Sequence, residues 1–531
     1  MKKYLKLTIV ILLLISGLAG IYIIIKTRER NKDYILNLIL PGQNVARGKI
    51  KAGFARENIT PLLTDNWKDA DNNYMYEPDK GDTFTDGNNN GRFDAFWMAG
   101  FSNRRAANGV HDSLWARAIV LDDSASVIGL VVIDAIGFFH DDVIAVRKLV
   151  ARRNPEIGHV ILSSTHSHEA PDLQGLWGES EYKSGVSQDY RIMVQQKAAD
   201  AVCRAYENRT NAKIEFTQID SIEKDLIDDF RMPRVFDEGI RIIRVKCAED
   251  EKLMGILLNI GIHPETAGST NLLITSDIFH YLREGIEQGV LYYDQLKREG
   301  AGGTVVVFNG AIGGLMSGMS SQTHDKWLDR TFSADDNSFD KVRAQGYRLA
   351  DQVLSGMASD GWKTVDHPDM NLIAKTFYFR LDNILFKLGA IAGVFDRGFK
   401  RLGFVKSEVN LLTIGPVWFL TIPGEINPEI VNGGIETPDG SDFAIDPVEV
   451  PPFRQMMKGE INFVIGLAND EVGYIMPKTH WDEKPPFTYG DKEAPYGEIN
   501  SLGPETGPEI HRQVKDIINR MQQQLSENKG K

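Results

Sequence analysis

Continuous apolar runs, more than alternating ones, set the pattern of this chain. Val127–Ile133, Val160–Leu162, Leu253–Ile262 and Thr304–Phe308 are apolar or β-branched stretches, each closed by polar or glycine-rich residues. Such runs predict strands buried on both faces. Glu408–Ile422 and Ile461–Ala468 read the same way. Between them, Asp141–Val150, Gln188–Asn208, Asp277–Gln288 and the polar Ile510–Leu525 have the spacing of helices. Strands alternating with helices predict an α/β fold. Phe377–Leu402 is less regular. It mixes Phe, Leu and Ile with Lys387, Arg397, Lys400 and Arg401 and is broken by Gly389, Gly393 and Gly398. It reads as an amphipathic helix over the core, with a membrane-surface or channel-lining segment as the alternative.

The N-terminus follows another pattern. Leu7 to Ile25 is uncharged and apolar, between Lys2, Lys3 and Lys6 on one side and Lys26, Arg28 and Arg30 on the other. At ~1.5 Å per residue it reaches about 28 Å, near the thickness of a bilayer core. We read residues 1–32 as an uncleaved membrane anchor, and 33–51 as a linker. A cleaved signal, with its small-residue site near Gly17-Leu18-Ala19, is the alternative and would give a secreted protein. Positive charge is similar on both sides, so it sets no orientation.

Composition narrows the classes. The chain has 531 residues, of which 42% are hydrophobic and 25% charged, as in globular proteins. A net charge of −13 argues against a nucleic-acid partner. Two cysteines, Cys203 and Cys247, make no disulfide framework.

The candidate chemistry starts at Val160–Gly178, VILSSTHSHEAPDLQGLWG. A buried strand ends at His166-Ser167-His168, and Pro171 with two glycines turns the chain away. Histidines two apart on an extended segment share a face, and neutral imidazole is a common zinc ligand. A second apolar strand ends at His263-Pro264-Glu265. Two surface histidines in a polar loop and a lone structural histidine are the plain alternatives.

STHSHEAP, with GVHDSLWARAIVLDD and VVIDAIGFF upstream, resembles the neutral ceramidase family. The likeness recurs in order from Ala52-Gly53-Phe54-Ala55-Arg56, through Met98–Phe101 and Gly109-Val110-His111, to the C-terminus. It implies one large catalytic domain over 52–531, of mixed sheets flanked by helices. It implies a zinc shell of His166, His263, Glu425 (in Pro423-Gly424-Glu425) and Tyr474 (after Gly466-Leu467-Ala468-Asn469). His168 would handle protons. Arg231 (in Arg231-Met232-Pro233) and Tyr496 (in Tyr496-Gly497-Glu498) would bind the substrate head group or the oxyanion, and the residues after Tyr496 favour it over Tyr489. His111 and Asp134 could support the site or simply pack. The implied reaction is hydrolysis of the amide bond of ceramide or a related N-acyl lipid, giving a sphingoid base and a fatty acid, on the extracytoplasmic side of a membrane.

Two features depart from the family. Where it has NxGDVSPN, this chain reads Asn309-Gly310-Ala311-Ile312-Gly313-Gly314. Aligned on Gly310, the family's aspartate becomes Ala311 and its serine Gly313; Ser317 lies four residues on. A zinc hydrolase of another amide or ester, or a catalytically silent membrane-anchored binding protein, are therefore kept as alternatives. The second departure is an Asp/Asn-rich insertion, 62–94. Within it Asp86, Asn88, Asn90 and Asp94 repeat oxygen side chains around Gly91, as in a loop for structural calcium. Position twelve is Trp97 where such loops carry glutamate. A solvated Asn/Gly turn is the other reading.

Overall fold

The computed structural model describes residues 2–41, 47–314 and 316–529; residues 42–46 of the expected linker lie outside them. Lys2–Thr27 forms helix α1, apolar and mostly exposed, with its last turn partly covered, and long enough to be a signal anchor or a signal peptide. The rest is an α/β fold of two packed sheets with helices on both outer faces.

The first sheet contains β2 (Lys51–Asn58), β3 (Trp115–Asp122), β4 (Val127–Ile133), β5 (His159–Ser164), β6 (Thr210–Ile219), β7 (Ile240–Cys247), β8 (Leu253–Ile260) and β9 (Thr304–Asn309). Their order is β9-β8-β7-β6-β2-β3-β4-β5. The pairs β4/β5 and β8/β9 are parallel and the other pairs antiparallel. The second sheet contains β1 (Asn37–Leu40), β10 (Met370–Arg380), β11 (Phe404–Ile414), β12 (Val417–Thr421) and β14 (Ile461–Ile465), in the order β1-β10-β11-β12-β14. Part of the expected linker is thus an edge strand. Two short strands outside these sheets, β13 (Glu425–Ile426) and β15 (Tyr474–Ile475), pair in parallel.

Period-two geometry explains the unbroken apolar runs. In β9, Val306 and Phe308 face the second sheet, while Val305 and Val307 face helices α4 (Ile278–Glu287) and α5 (Phe339–Met357). In β12, Val417 and Phe419 join the intersheet core, while Trp418 and Leu420 join the layer under α7 (Thr506–Lys529). Helices α2 (His140–Arg153) and α3 (Gln188–Glu207) cover β3–β5 through Val143, Val146, Val194 and Ala198. Both faces of both sheets are covered, so each central strand reads apolar throughout. Phe377–Leu402 divides into the end of β10, helix α6 (Ile384–Ala392) and a loop.

Candidate metal centre and pocket

The polar residues collect where strand ends of the two sheets meet. The chain leaves β5 beside β4: Thr165 N–H donates to Ile133 O (3.0 Å) and His166 N–H to Ala135 O (2.9 Å). His166 has φ +69°, a left-handed conformation costly for a non-glycine residue and frequent at functional sites. Its Nδ1 bonds Ile136 O at 2.6 Å, so Nε2 points into the site. After β8, His263 does the same on another anchor, with Nδ1 3.0 Å from Met316 O. Carbonyl-tethered Nδ1 atoms fix ring orientation and leave Nε2 as the donor.

Both Nε2 atoms converge on one carboxylate oxygen. Glu425 Oε2 is 3.4 Å from His166 and 3.2 Å from His263. Parallel pairing of β13 with β15 sets Tyr474 opposite Glu425. His168 completes the group, its ring 4.9 Å from that of His166 and 5.7 Å from that of His263. The imidazoles of His166, His168 and His263 offer nitrogens within 4.8 Å of one another, a group that could hold a metal ion. Both ring nitrogens of His168 are buried without a hydrogen-bond partner, although Nδ1 lies 3.2 Å from Glu265 Oε2. Buried and unpaired nitrogens fit a donor set waiting for a cation or a substrate. Gly100, at φ +102°, makes room for this ring, since a Cβ there would lie 2.4 Å from His168 Cβ.

Burial and neighbouring charges shift the acid–base groups of this cluster. Burial would raise the Glu425 carboxyl, but His166 and His263 hold it well below the usual carboxylate range. Burial, then His166 and His263, push the His168 imidazole down, so it is neutral at pH 7. Burial and the Glu425 charge push the Tyr474 phenol up. Burial, then Glu425 and Glu265, raise Tyr496 to about 12. Burial opposes charge on the His263 imidazole, but Glu425 and Glu265 raise it above its ordinary value. A carboxylate beside three imidazoles is a mixed N/O donor set that could hold a metal ion.

His166, His168 and Glu425 of this group reach the floor of a pocket. His166, His168, Glu425, Tyr474 and Tyr496 line its polar end; Phe139, Leu176, Trp177, Phe386, Phe395 and Phe399 line much of the rest, with Gln174, Arg397 and Glu471 among them. Most ligand pockets share this make-up, an apolar wall with a few convergent polar groups. Tyr496 is 54% exposed, at the mouth, with its ring 5.9 Å from that of Tyr474.

Other expected residues sit elsewhere. Arg231 is buried outside the lining, in a two-pronged bridge to Glu498 (2.9 and 3.1 Å) with a further bond to His480 O. Asp134 bridges Arg283 in α4. His111 stacks on Phe339 at 3.7 Å. Ser317 is buried, and its Oγ accepts from Met319 N–H. Gly313 has no room for a side chain: a Cβ would lie 2.4 Å from Glu425 O, and its N–H bonds Ile426 O at 2.8 Å. In the 86–94 loop, Asp86 accepts from Asn90 and Gly91 N–H, and Asp94 from the side chains of Asn88 and Asn90.

One residue had no role in the sequence reading. Asn309, at the end of β9, donates from Nδ2 to Thr165 O (2.9 Å) and Ile262 O (3.0 Å) and accepts at Oδ1 from Ile262 N–H (3.2 Å). It clamps the two strand ends that present His166 and His263. A polar residue closing an apolar strand before a glycine turn was the signal available.

No protein-family model matches the chain, and no curated protein matches it. Among solved structures, neutral ceramidase from Pseudomonas aeruginosa superposes with a TM-score of 0.62 at 14% identity, covering 90% of this chain and 75% of that one. A ceramidase complexed with C2 superposes with a TM-score of 0.60 at 14% identity, over 90% and 76%. This chain therefore has the fold of the neutral ceramidases.

Proposed function

We propose that this protein is a zinc-dependent amidohydrolase of the neutral ceramidase family that cleaves ceramide or a related N-acyl lipid. The observation that carries the reading is the cluster of three imidazoles with Glu425, of which His166, His168 and Glu425 line the polar end of an apolar pocket. His166, His263 and Glu425, with Tyr474 beside them, would hold the zinc, which when bound supplies Lewis acidity at the scissile carbonyl. The apolar wall takes the acyl chain and keeps bulk water from the reacting bond. Neutral His168 accepts a proton from the attacking water at a ring nitrogen and returns it to the leaving amine as the C–O bond forms and the C–N bond breaks. Tyr496 hydrogen-bonds the head group at the mouth. Arg231 is a positioning residue, holding Glu498 and so the turn that carries Tyr496. The domain would lie on the extracytoplasmic side, and calcium in the 86–94 loop would be structural.

A second reading, a hydrolase of a different amide or ester on the same scaffold, is favoured by Gly313. Backbone packing leaves no space there for the hydroxyl that the family uses.

The test is fatty-acid release by the detergent-solubilised full chain, from ceramide and from a panel of N-acyl amides and esters. It is run with zinc, after chelation, and with His166→Ala. Zinc-dependent ceramide cleavage that the substitution abolishes supports the first reading. Zinc-dependent cleavage confined to other substrates moves the assignment to the second. Folded protein that binds no zinc overturns both.

A further inference from the structure

We infer that α6 is a shared wall between the pocket and a lipid bilayer, so that the substrate's acyl chain enters sideways from the membrane that holds α1. The inference rests on the lipid-amide reading for its substrate, and on the surface itself for the bilayer contact.

The faces of α6 differ. Phe386 points inward to line the pocket, its ring 5.2 Å from that of Phe395, and Ala390, one turn on, is buried. Ile384, Leu385 and Leu388 point outward and are 63%, 58% and 54% exposed. Ile499, 48% exposed, continues this apolar strip toward Tyr496 at the mouth, because Asn383 Nδ2 at the start of α6 donates to Ile499 O at 2.9 Å. Apolar side chains side by side around a pocket mouth mark an interaction surface.

The position of α1 says what covers the strip. Its last turns pack on α6 and on the loop that follows. Tyr22 Oη donates to Ala392 O at 3.1 Å, and Lys26 lies against Gly393. Beyond the helix, Arg30 donates to Asp396 O at 2.9 Å and Glu29 accepts from Tyr378 at 2.7 Å. Lys406 Nζ reaches Asn31 O at 2.6 Å. A tyrosine and a lysine at the end of an apolar helix mark the membrane–water boundary. The segment they dock on, 392–399, also supplies Phe395, Arg397 and Phe399 to the pocket. The boundary therefore runs along α6, with Ile384, Leu385 and Leu388 at the depth of the acyl chains just below the head groups. These bonds also tie α1 into the pocket wall, as expected of a retained anchor.

The experiment uses the full chain in phosphatidylcholine vesicles, with a fluorophore on Leu388→Cys or, as control, Tyr293→Cys, both in a Cys247→Ala background. Tyr293 is 76% exposed on a hairpin beyond α4. The expected result is blue-shifted emission at position 388, quenched by spin-labelled lipid, and water-like, unquenched emission at 293. Equal water-like emission at both sites overturns the inference. A second arm compares Leu385→Asp/Leu388→Asp with the parent on a substrate the parent cleaves. The expected loss is at least tenfold on vesicle-embedded substrate, with less than a twofold change on a detergent-dispersed short-chain analogue; equal losses on both overturn lateral entry. The quenching arm needs no turnover, so its outcome stands apart from the fate of the proposed reaction.

Discussion

At its inner end the pocket is made of strand ends; at its outer end it is made of one short helix and a loop. The inner end is held from many sides. His166 is fixed by β4, by Ile136 and, through Thr165, by Asn309; His263 by Met316 and Asn309; Glu425 by the β13/β15 ladder and the backbone of Gly313. Its geometry follows from the fold. The outer end hangs on Phe386 and Phe395 packing over the pocket, and half of α6 faces outward. The contrast separates two jobs. In the proposed reaction the fixed end would set what bond is broken, because a metal site tolerates little movement of its ligands. The outer end sets which molecule arrives, because apolar contact is non-directional and tolerates change.

The largest expected effect is at the fixed end. His263→Ala removes an imidazole that no neighbour replaces. Zinc content should fall below half-stoichiometric and hydrolysis should fall by more than about 10³-fold, beyond the 10–100-fold that follows loss of a ligand's hydrogen-bonding partner. Metal analysis of the purified variant with single-turnover assays would check it. Retained activity would mean that His168, which belongs to the same group, takes the position.

Asn309→Ala comes next and tests whether the clamp matters. It leaves each ligand in place but frees the carbonyls of Thr165 and Ile262. Zinc affinity and kcat/KM should each fall by about 10–100-fold, with about 1–3 kcal/mol lost in urea unfolding from the buried groups left unpaired. Loss of stability with unchanged zinc affinity would show that the clamp serves the sheet alone.

At the outer end, Phe386→Ala should change selectivity more than chemistry. It strips apolar surface from the pocket wall, worth about 25 cal/mol per Å². The kcat/KM for a long-chain substrate should fall about tenfold, that for a two-carbon acyl analogue by less than twofold, and zinc content not at all. An equal loss on both would mean that α6 supports the ligands as well as the chain, and the division of labour would fail.

This division also explains what the sequence made legible. Strand-then-histidine occurs twice, and a strand followed by a turn delivers its next residue to the edge of the sheet wherever that sheet ends up. His166 and His263 could therefore be singled out as candidates, whereas Glu425 came from the family resemblance, and β4 could be bounded to the residue. What stayed hidden depends on distant partners. That Arg231 meets Glu498, 267 residues away, is written in neither segment. That Asn309 reaches Thr165 depends on β9 lying near β5 across the sheets' curvature, although the two are at opposite ends of the strand order. The split character of α6 was hidden in another way. Its apolar residues occupy both faces, so periodicity showed no clean stripe, and only the packing separates the face that lines the pocket from the face left open.

The smallest expected effect on activity concerns the polar layer behind the fixed end. Glu429 follows Glu425 by one turn of chain, is buried, and has neither oxygen hydrogen-bonded. Burial pushes its carboxyl up to about 8, with Asp229 and Glu436 adding to the rise and Arg231 opposing it. The His480 ring, 3.5 Å away, is pushed down to about 3 by burial and Arg231, and so stays neutral. Glu429 is therefore protonated in the folded protein at pH 7, whereas its unfolded-state pKa is about 4.3. Between these values the folded state binds more protons than the unfolded one, so stability falls as pH rises from about 4.5 toward 8, by up to about 1.4 kcal/mol per pH unit. Glu429→Gln should reduce that slope, leaving the parts due to other carboxyls that burial raises, among them Asp229 and Asp142, each to about 7. Urea midpoints at pH 5, 6.5 and 8 would read the slope, and kcat/KM at pH 7 should stay within twofold of the parent. A Glu429→Gln profile as steep as the parent's would show Glu429 ionised in the folded protein. A tenfold loss of activity would move this layer, Arg231 with it, from support into the chemistry of the pocket's fixed end.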